Sequence, residues 1–182
     1  MRVFLKQLNL NPVSDFDTLK ATASCVIFSG NRWVLIKGFC VWEKSGRVTI
    51  SNPPGFGHPN PFNHYISMSS ALKDKFTQLI LAAFGKERFG KRNLIRYKID
   101  HKPETDNTAI FPNTRKTKLK DTFSLQLVLE DGEERILFKG LGVKRGKFGF
   151  LKAGVIEPTK QIFVFSPSMI SAIRPSHSVA LN

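Results

Sequence analysis

Acidic residues are scarce in this chain. Its 182 residues include 14 Asp and Glu against 28 Lys and Arg, a net charge of +14, with an isoelectric point near 10.1. The acids are scattered singly apart from Glu130, Asp131, Glu133 and Glu134, a run that reads as a solvated hairpin turn. Metal-dependent hydrolysis needs clustered carboxylates or histidines to hold its ion. The four histidines, His58, His64, His101 and His177, make no i, i+4 pair around a carboxylate, the spacing a helical zinc site would show. Also missing are GxSxG, GxxxxGKS/T and a GxGxxG that enters a helix, so nucleophile-elbow and phosphate-loop chemistry have no foothold. No catalytic residue, cofactor or metal site is expected, and the chain does not read as an enzyme.

Cysteine is nearly absent too. Cys25 and Cys40 form no CxxC pair. A two-residue turn at Gly30-Asn31 would set Cys25 across from Ile36 and Cys40 across from Ala21, so the thiols are not partners. A reduced, cytoplasmic setting follows. No apolar run approaches a membrane span of roughly 18 to 20 residues. The opening MRVFLKQLNLNP has no charged start, apolar core and small-residue cleavage site in series. A soluble protein with no membrane partner is expected.

Alternating apolar and polar residues dominate what is present. Val3 and Leu5 alternate with Phe4, Lys6 and Leu8 in a first strand. Residues 20–28 and Arg32–Trp42 make a hairpin about Ser29-Gly30-Asn31, and Lys44-Ser45-Gly46 turns into a short strand Arg47–Ser51 that Pro53 and Pro54 end. These four strands form a meander. Residues 52–64 hold four prolines and two glycines, too many breakers for a regular element. From Ser70 to Phe84, Ala71, Leu72, Phe76, Leu79, Ile80 and Ala83 recur at helical spacing, with Ser69 or Ser70 as N-cap and Gly85 past the end.

Residues 86–120 carry eleven Lys or Arg against four Asp or Glu, with little periodicity beyond a strand at Leu94–Ile99. Strand patterning resumes after Lys120: Phe123, Leu125, Leu127 and Leu129 point one way, Asp131-Gly132 turns, and Glu134–Val143 returns. A strand at Gln161–Phe165 then precedes a short helix capped by Ser166 and opened by Pro167.

The halves share a syntax. Leu19-Lys20-x-Thr22 and Leu119-Lys120-x-Thr122 each open a strand; Lys37-Gly38 and Lys139-Gly140 sit on the returning strands; Lys44–Arg47 and Lys144–Lys147 are basic turns; a serine-capped helix closes each half. The expected fold is α+β, with two equivalent antiparallel β-meander-plus-helix units packed as an intramolecular pseudo-dimer. Residues 1–85 would be the first unit, 86–118 a basic arm, and 119–182 a diverged second unit.

Chemistry then rests on cations and aromatics. Cations that track phosphates supply most nucleic-acid affinity, and exposed aromatics stack unpaired bases. The candidate contacts are Lys37, Trp42, Lys44, Arg47 and Phe56 in the first half, and Lys139, Lys144, Arg145, Lys147 and Phe148 in the second. Lys86, Arg88, Lys91, Arg92, Arg96 and Lys98 follow the helix, six cations in 13 residues, more than a helix C-terminus needs to neutralise its dipole. Trp33 and Phe39, at the parity of Leu35 and Val41, read as core.

The stretches LKATASCVIFSGNRWVLIKGFCVW, SGRVTISNPPG and HYISMSSALKDKFTQLILAAF, within Arg2 to Phe84, resemble the stage V sporulation protein G (SpoVG) family of bacterial nucleic-acid-binding regulators. The resemblance implies dimer-like pairing of sheets and DNA or RNA binding through the basic surface at the helix end, at Lys86, Arg88, Lys91 and Arg92. The expectation is a DNA- or RNA-binding protein that works mainly through phosphate contacts and slightly favours single strands. The competing reading is an interaction module for an acidic protein, such as a phage or ribosome-associated factor. In either, exposed sheet edges would be the route to a homo-oligomer.

Overall fold

A computed structural model describes residues 1–11, 18–53, 65–102, 109–116, 122–145, 151–155 and 162–173. In chain order the elements are β1 (Arg2–Leu10), β2 (Thr18–Ser29), β3 (Arg32–Lys44), β4 (Arg47–Ser51), β5 (Ile66–Met68), α1 (Ser70–Glu87), β6 (Leu94–Arg96), β7 (Ala109–Lys116), β8 (Thr122–Asp131), β9 (Glu134–Arg145), β10 (Leu151–Val155), β11 (Phe163–Phe165) and α2 (Pro167–Ile173). The fold is α+β, two antiparallel sheets with two helices.

The first four strands form the expected meander. Gly30, at φ 58°, supplies the positive φ that a tight two-residue hairpin needs at its first central position, and Ser29 pairs with Arg32 across it. The sheet is wider than a four-stranded meander: β6 adds outside β1, and β11 adds to β3 beside β4. The second sheet repeats that plan. β7, β8, β9 and β10 run in order, and β5 joins β9 beside β10. Each sheet is therefore completed by a strand from the other half of the chain.

The two borrowed strands are fastened alike. Backbone N–H groups of Lys37 and Lys139 donate to the carbonyls of Ile162 (2.6 Å) and Tyr65 (2.7 Å). Ser166 N–H donates to the Trp33 carbonyl at 2.9 Å, while the Trp33 N–H donates to the Ser166 hydroxyl at 3.0 Å. That hydroxyl also accepts from Met169 N–H at 3.2 Å and so caps α2. Ser69 is the N-cap of α1, its hydroxyl accepting from Leu72 N–H.

Helix α1 lies against β1 of the first sheet and β9 of the second, and also against β4 and β2. It buries Leu72, Phe76, Ile80 and Phe84, one stripe at four-residue steps. Phe76 stacks on Phe39 at 4.9 Å between centroids. Burying each such side chain contributes roughly 1.5–3 kcal/mol. Gly85 does not end the helix: it sits exposed inside it, and Arg88 N–H still donates to the Phe84 carbonyl. Anchoring of Phe84 in the core outweighs the roughly 0.5–1 kcal/mol that an interior glycine costs. A single buried cluster joins both sheets, with Phe138 of β9 edge-on to Phe163 and Phe165 of β11 at 5.5 and 5.3 Å.

Bulges correct the simple alternation. One between Leu5 and Gln7 puts Leu8 on the buried face with Leu5, not with Phe4 and Lys6. Another, where Ala23 pairs with Phe39 and Ser24 with Lys37, leaves Gly38 unpaired at φ 90°, a conformation only glycine adopts without strain. Beyond it, Cys40 faces Thr22 and not Ala21; Cys25 faces Ile36 as expected. β7 is a further difference: Pro112, Asn113, Arg115 and Lys116 hide a strand that pairs with β8 along its whole length.

Candidate nucleic-acid interface

Strand pleating gives the first sheet two unlike faces. One, packed against α1 and the common core, carries Leu5, Leu8, Cys25, Ile27, Val34, Ile36, Phe39 and Val41, with Val48 and Ile50 at its margin. The opposite face, called outer below, follows from the register. Across β1, β2 and β3 its rows run Arg2, Phe28, Trp33, then Phe4, Val26, Leu35, then Gln7, Ser24, Lys37. Farther along come Trp42 beside Thr49, and Lys44 beside Arg47. Lys6 in the β1 bulge is exposed, and Arg96 of β6 pairs with Gln7 at the edge.

The bulge at Gly38 reassigns Trp33. Trp33 and Phe39 stand on opposite sides of β3: Phe39 is fully buried, whereas Trp33 is half-buried on the outer face. An even spacing would have kept them together; the unpaired glycine shifts the parity by one.

One end of the outer face is aromatic. Phe4 meets Phe28 edge-on at 5.6 Å, and the Arg2 guanidinium lies 5.9 Å from the Phe4 ring centre. The chain beyond β6 folds over this end and brings His101 flat onto Phe28, centroids 3.9 Å apart and planes 23° apart. His101 Nε2 is 2.9 Å from the Gly30 carbonyl, at the β2–β3 turn. Phe28, Trp33, Val26, Leu35, Ile99, His101 and Lys6 line a groove of about 320 Å³. Toward the other end the Trp42 indole N–H donates to the Ser51 hydroxyl at 2.9 Å.

The strands place no acid on this face, although Asp100 is exposed between Ile99 and His101 in the segment folded over its aromatic end. None of the outer-face positions of β1–β4 is Asp or Glu. Glu43, on the helix side of β3, is 3.8 Å from the Arg88 guanidinium. Asp131 and Glu134, at the second hairpin, accept hydrogen bonds from the Met1 ammonium, and Glu134 also from Lys75. The corresponding face of the second sheet differs in kind: Glu130 and Arg135, paired across β8 and β9, form an ion pair at 2.8 Å.

Lys37, Trp42, Lys44, Arg47 and Arg96 thus share the outer face of the first sheet. Lys86 is in the last turn of α1, with Arg88 as its C-cap, and Lys91 and Arg92 occupy the exposed link to β6. Arg88 is engaged by Glu43 and stacks 4.7 Å from the centre of the Phe89 ring. Lys98 is exposed beyond β6, and Lys139 lies half-buried in β9 of the other sheet. Lys144 and Arg145 are in β9, whereas Phe56, Lys147 and Phe148 fall outside the described residues. Sequence reasoning missed Arg2, Phe4, Lys6, Phe28 and His101, as well as Phe89, which is 83% exposed amid the post-helix cations. Only Phe89 had a local signal, an aromatic inside a basic run.

Among the described residues no group of three or more His, Cys, Asp or Glu is placed to hold a metal ion, and no helix is long and apolar enough to cross a membrane. No family model, curated protein or solved structure matches the chain.

Proposed function

We propose that the protein binds DNA or RNA, single strands in preference to duplex, along the outer face of the first sheet. The observation that carries this reading is the segregation of charge: Arg2, Lys6, Lys37, Lys44, Arg47 and Arg96 share a face with Phe4, Phe28, Trp33 and Trp42, and its strands place no acid there. Cations supply the phosphate attraction and rings supply base stacking. The post-helix cations with Phe89 extend the surface around the β1 and β6 edge. In this reading the protein is a cytoplasmic binding protein, a regulator in the SpoVG manner, and not an enzyme.

The finer architecture belongs to the same proposal. The halves are equivalent meander-plus-helix units that form an intramolecular pseudo-dimer. Support comes from the matched fastenings: Trp33 and Lys37 in one half, Arg135 and Lys139 in the other, make the same bonds to the strand borrowed from the opposite half. The second outer face has Phe111 beside Val128 but also the acid Glu130, whereas β1–β4 place no acid on the first outer face, so the binding is assigned to the first unit.

Fluorescence anisotropy with labelled single-stranded and duplex DNA and RNA at roughly 50 and 200 mM salt tests this. Binding that weakens steeply with salt and is tighter for single strands is expected. No binding at the lower salt overturns it and directs attention to an acidic protein partner.

A further inference from the structure

Resting on the nucleic-acid reading, we infer that the groove bordered by Trp33 and by the stacked Phe28–His101 pair holds one unstacked base, and that this pocket is the source of single-strand preference. The groove is small: about 320 Å³ lies at the lower end of the range for small-molecule pockets, roughly 300–1,000 Å³. Its lining is apolar and flat. Val26 and Leu35 are adjacent across β2 and β3, as are Phe28 and Trp33, and Ile99 and His101 come from the segment folded over them.

A planar, uncharged ring suits such a lining better than a phosphate or a sugar does, because neither the anion nor the hydroxyls would find partners there. Two polar groups border the groove. Lys6 is exposed, and its ammonium can meet the phosphate of the nucleotide whose base enters. His101 Nε2 donates to the Gly30 carbonyl at 2.9 Å, and Nδ1 is buried with no hydrogen-bond partner among the described residues. Arg2 and Lys37 stand one row to either side of the Phe4–Val26–Leu35 row, so a strand that crosses the face keeps cations on both flanks of the groove. A paired, stacked base cannot reach the groove; an unpaired one can.

The test compares oligothymidylate with an abasic oligonucleotide of the same length, which keeps the phosphates and removes the bases. At equal salt the wild-type protein should bind oligothymidylate about 10- to 100-fold tighter, since each stacked base contributes roughly 1–3 kcal/mol. Phe28→Leu and His101→Gln should lose most of that preference and keep the abasic affinity, which also shows that they fold. Equal affinity of the wild-type protein for both oligonucleotides, or variants that keep the preference, overturns the pocket and leaves the phosphate reading standing. Binding of neither oligonucleotide overturns both. A 4-thiothymidine oligonucleotide cross-linked to the wild-type protein decides without any variant. Cross-links on peptides that contain Phe28, Trp33 or His101 support the pocket, and cross-links confined to the Phe89 region overturn it.

Discussion

Ser69 and Arg135 exchange two hydrogen bonds: the Ser69 N–H donates to the Arg135 carbonyl at 2.9 Å, and the Arg135 N–H donates to the Ser69 hydroxyl at 3.1 Å. One serine therefore starts a helix and locks the strand before it onto the far half of the chain. Ser166 and Trp33 do the same in reverse.

Ser69→Ala and Ser166→Ala should each cost about 1–2 kcal/mol, the range for a lost helix cap together with an unsatisfied backbone donor. Ser166 is the more buried, 1% exposed, and should stand at the upper end. Urea midpoints of the two variants check this; a loss at Ser166 smaller than at Ser69 would contradict it.

Stability should form a plateau in pH through the groups around Met1. Burial works against the Glu134 carboxylate, but hydrogen bonds from Lys75 and the N-terminal ammonium outweigh it and hold the group below its ordinary 4.5. A depressed acid stabilises fully above its unfolded value, and the contribution is lost as pH falls through the folded value. Burial likewise opposes the Met1 ammonium, yet bonds to Asp131 and Glu134 keep it above 8.0. That contribution is full below the unfolded value and is lost as pH rises through the folded one. The denaturation midpoint should be flat between these two values and fall on either side. Glu134→Gln, neutral at every pH, should lower the plateau and flatten both limbs.

Phosphate contacts can be counted from salt dependence. Lys37→Gln and Arg47→Gln should each lower the slope of log affinity against log salt by about one for any sequence. Lys73→Gln, exposed on α1 and so on the opposite side of the sheet, should leave the slope unchanged. A loss of slope at Lys73 matching that at Lys37 would mean the helix side carries the polyanion.

Hairpins, serine caps and the first meander were legible in the sequence because their signals are local: a glycine at a turn, a serine before an apolar stripe, alternation over five or more residues. The bulges were not. A glycine inside a strand pattern can mark a bulge or only a close backbone approach, and the even alternation on either side of Gly38 did not choose between them, yet the bulge decides that Trp33 lies on the outer face while Phe39 is buried. Nor could composition assign β5 and β11, three residues each, to the sheet of the opposite half. Of the candidate interface, the cations on β3 and β4 could be read directly. His101 could not, since its position depends on a carbonyl 71 residues away and on a ring that it covers.

The borrowed strands also bear on how the protein is made. Val34 to Ile36 pair with residues 163–165, so a nascent chain cannot finish its first sheet until residue 165 has left the ribosome. Until then that stretch of β3 offers unpaired backbone to any neighbouring strand. The two halves close each other's sheets, and a chain that stalls after α1 emerges with an adhesive edge.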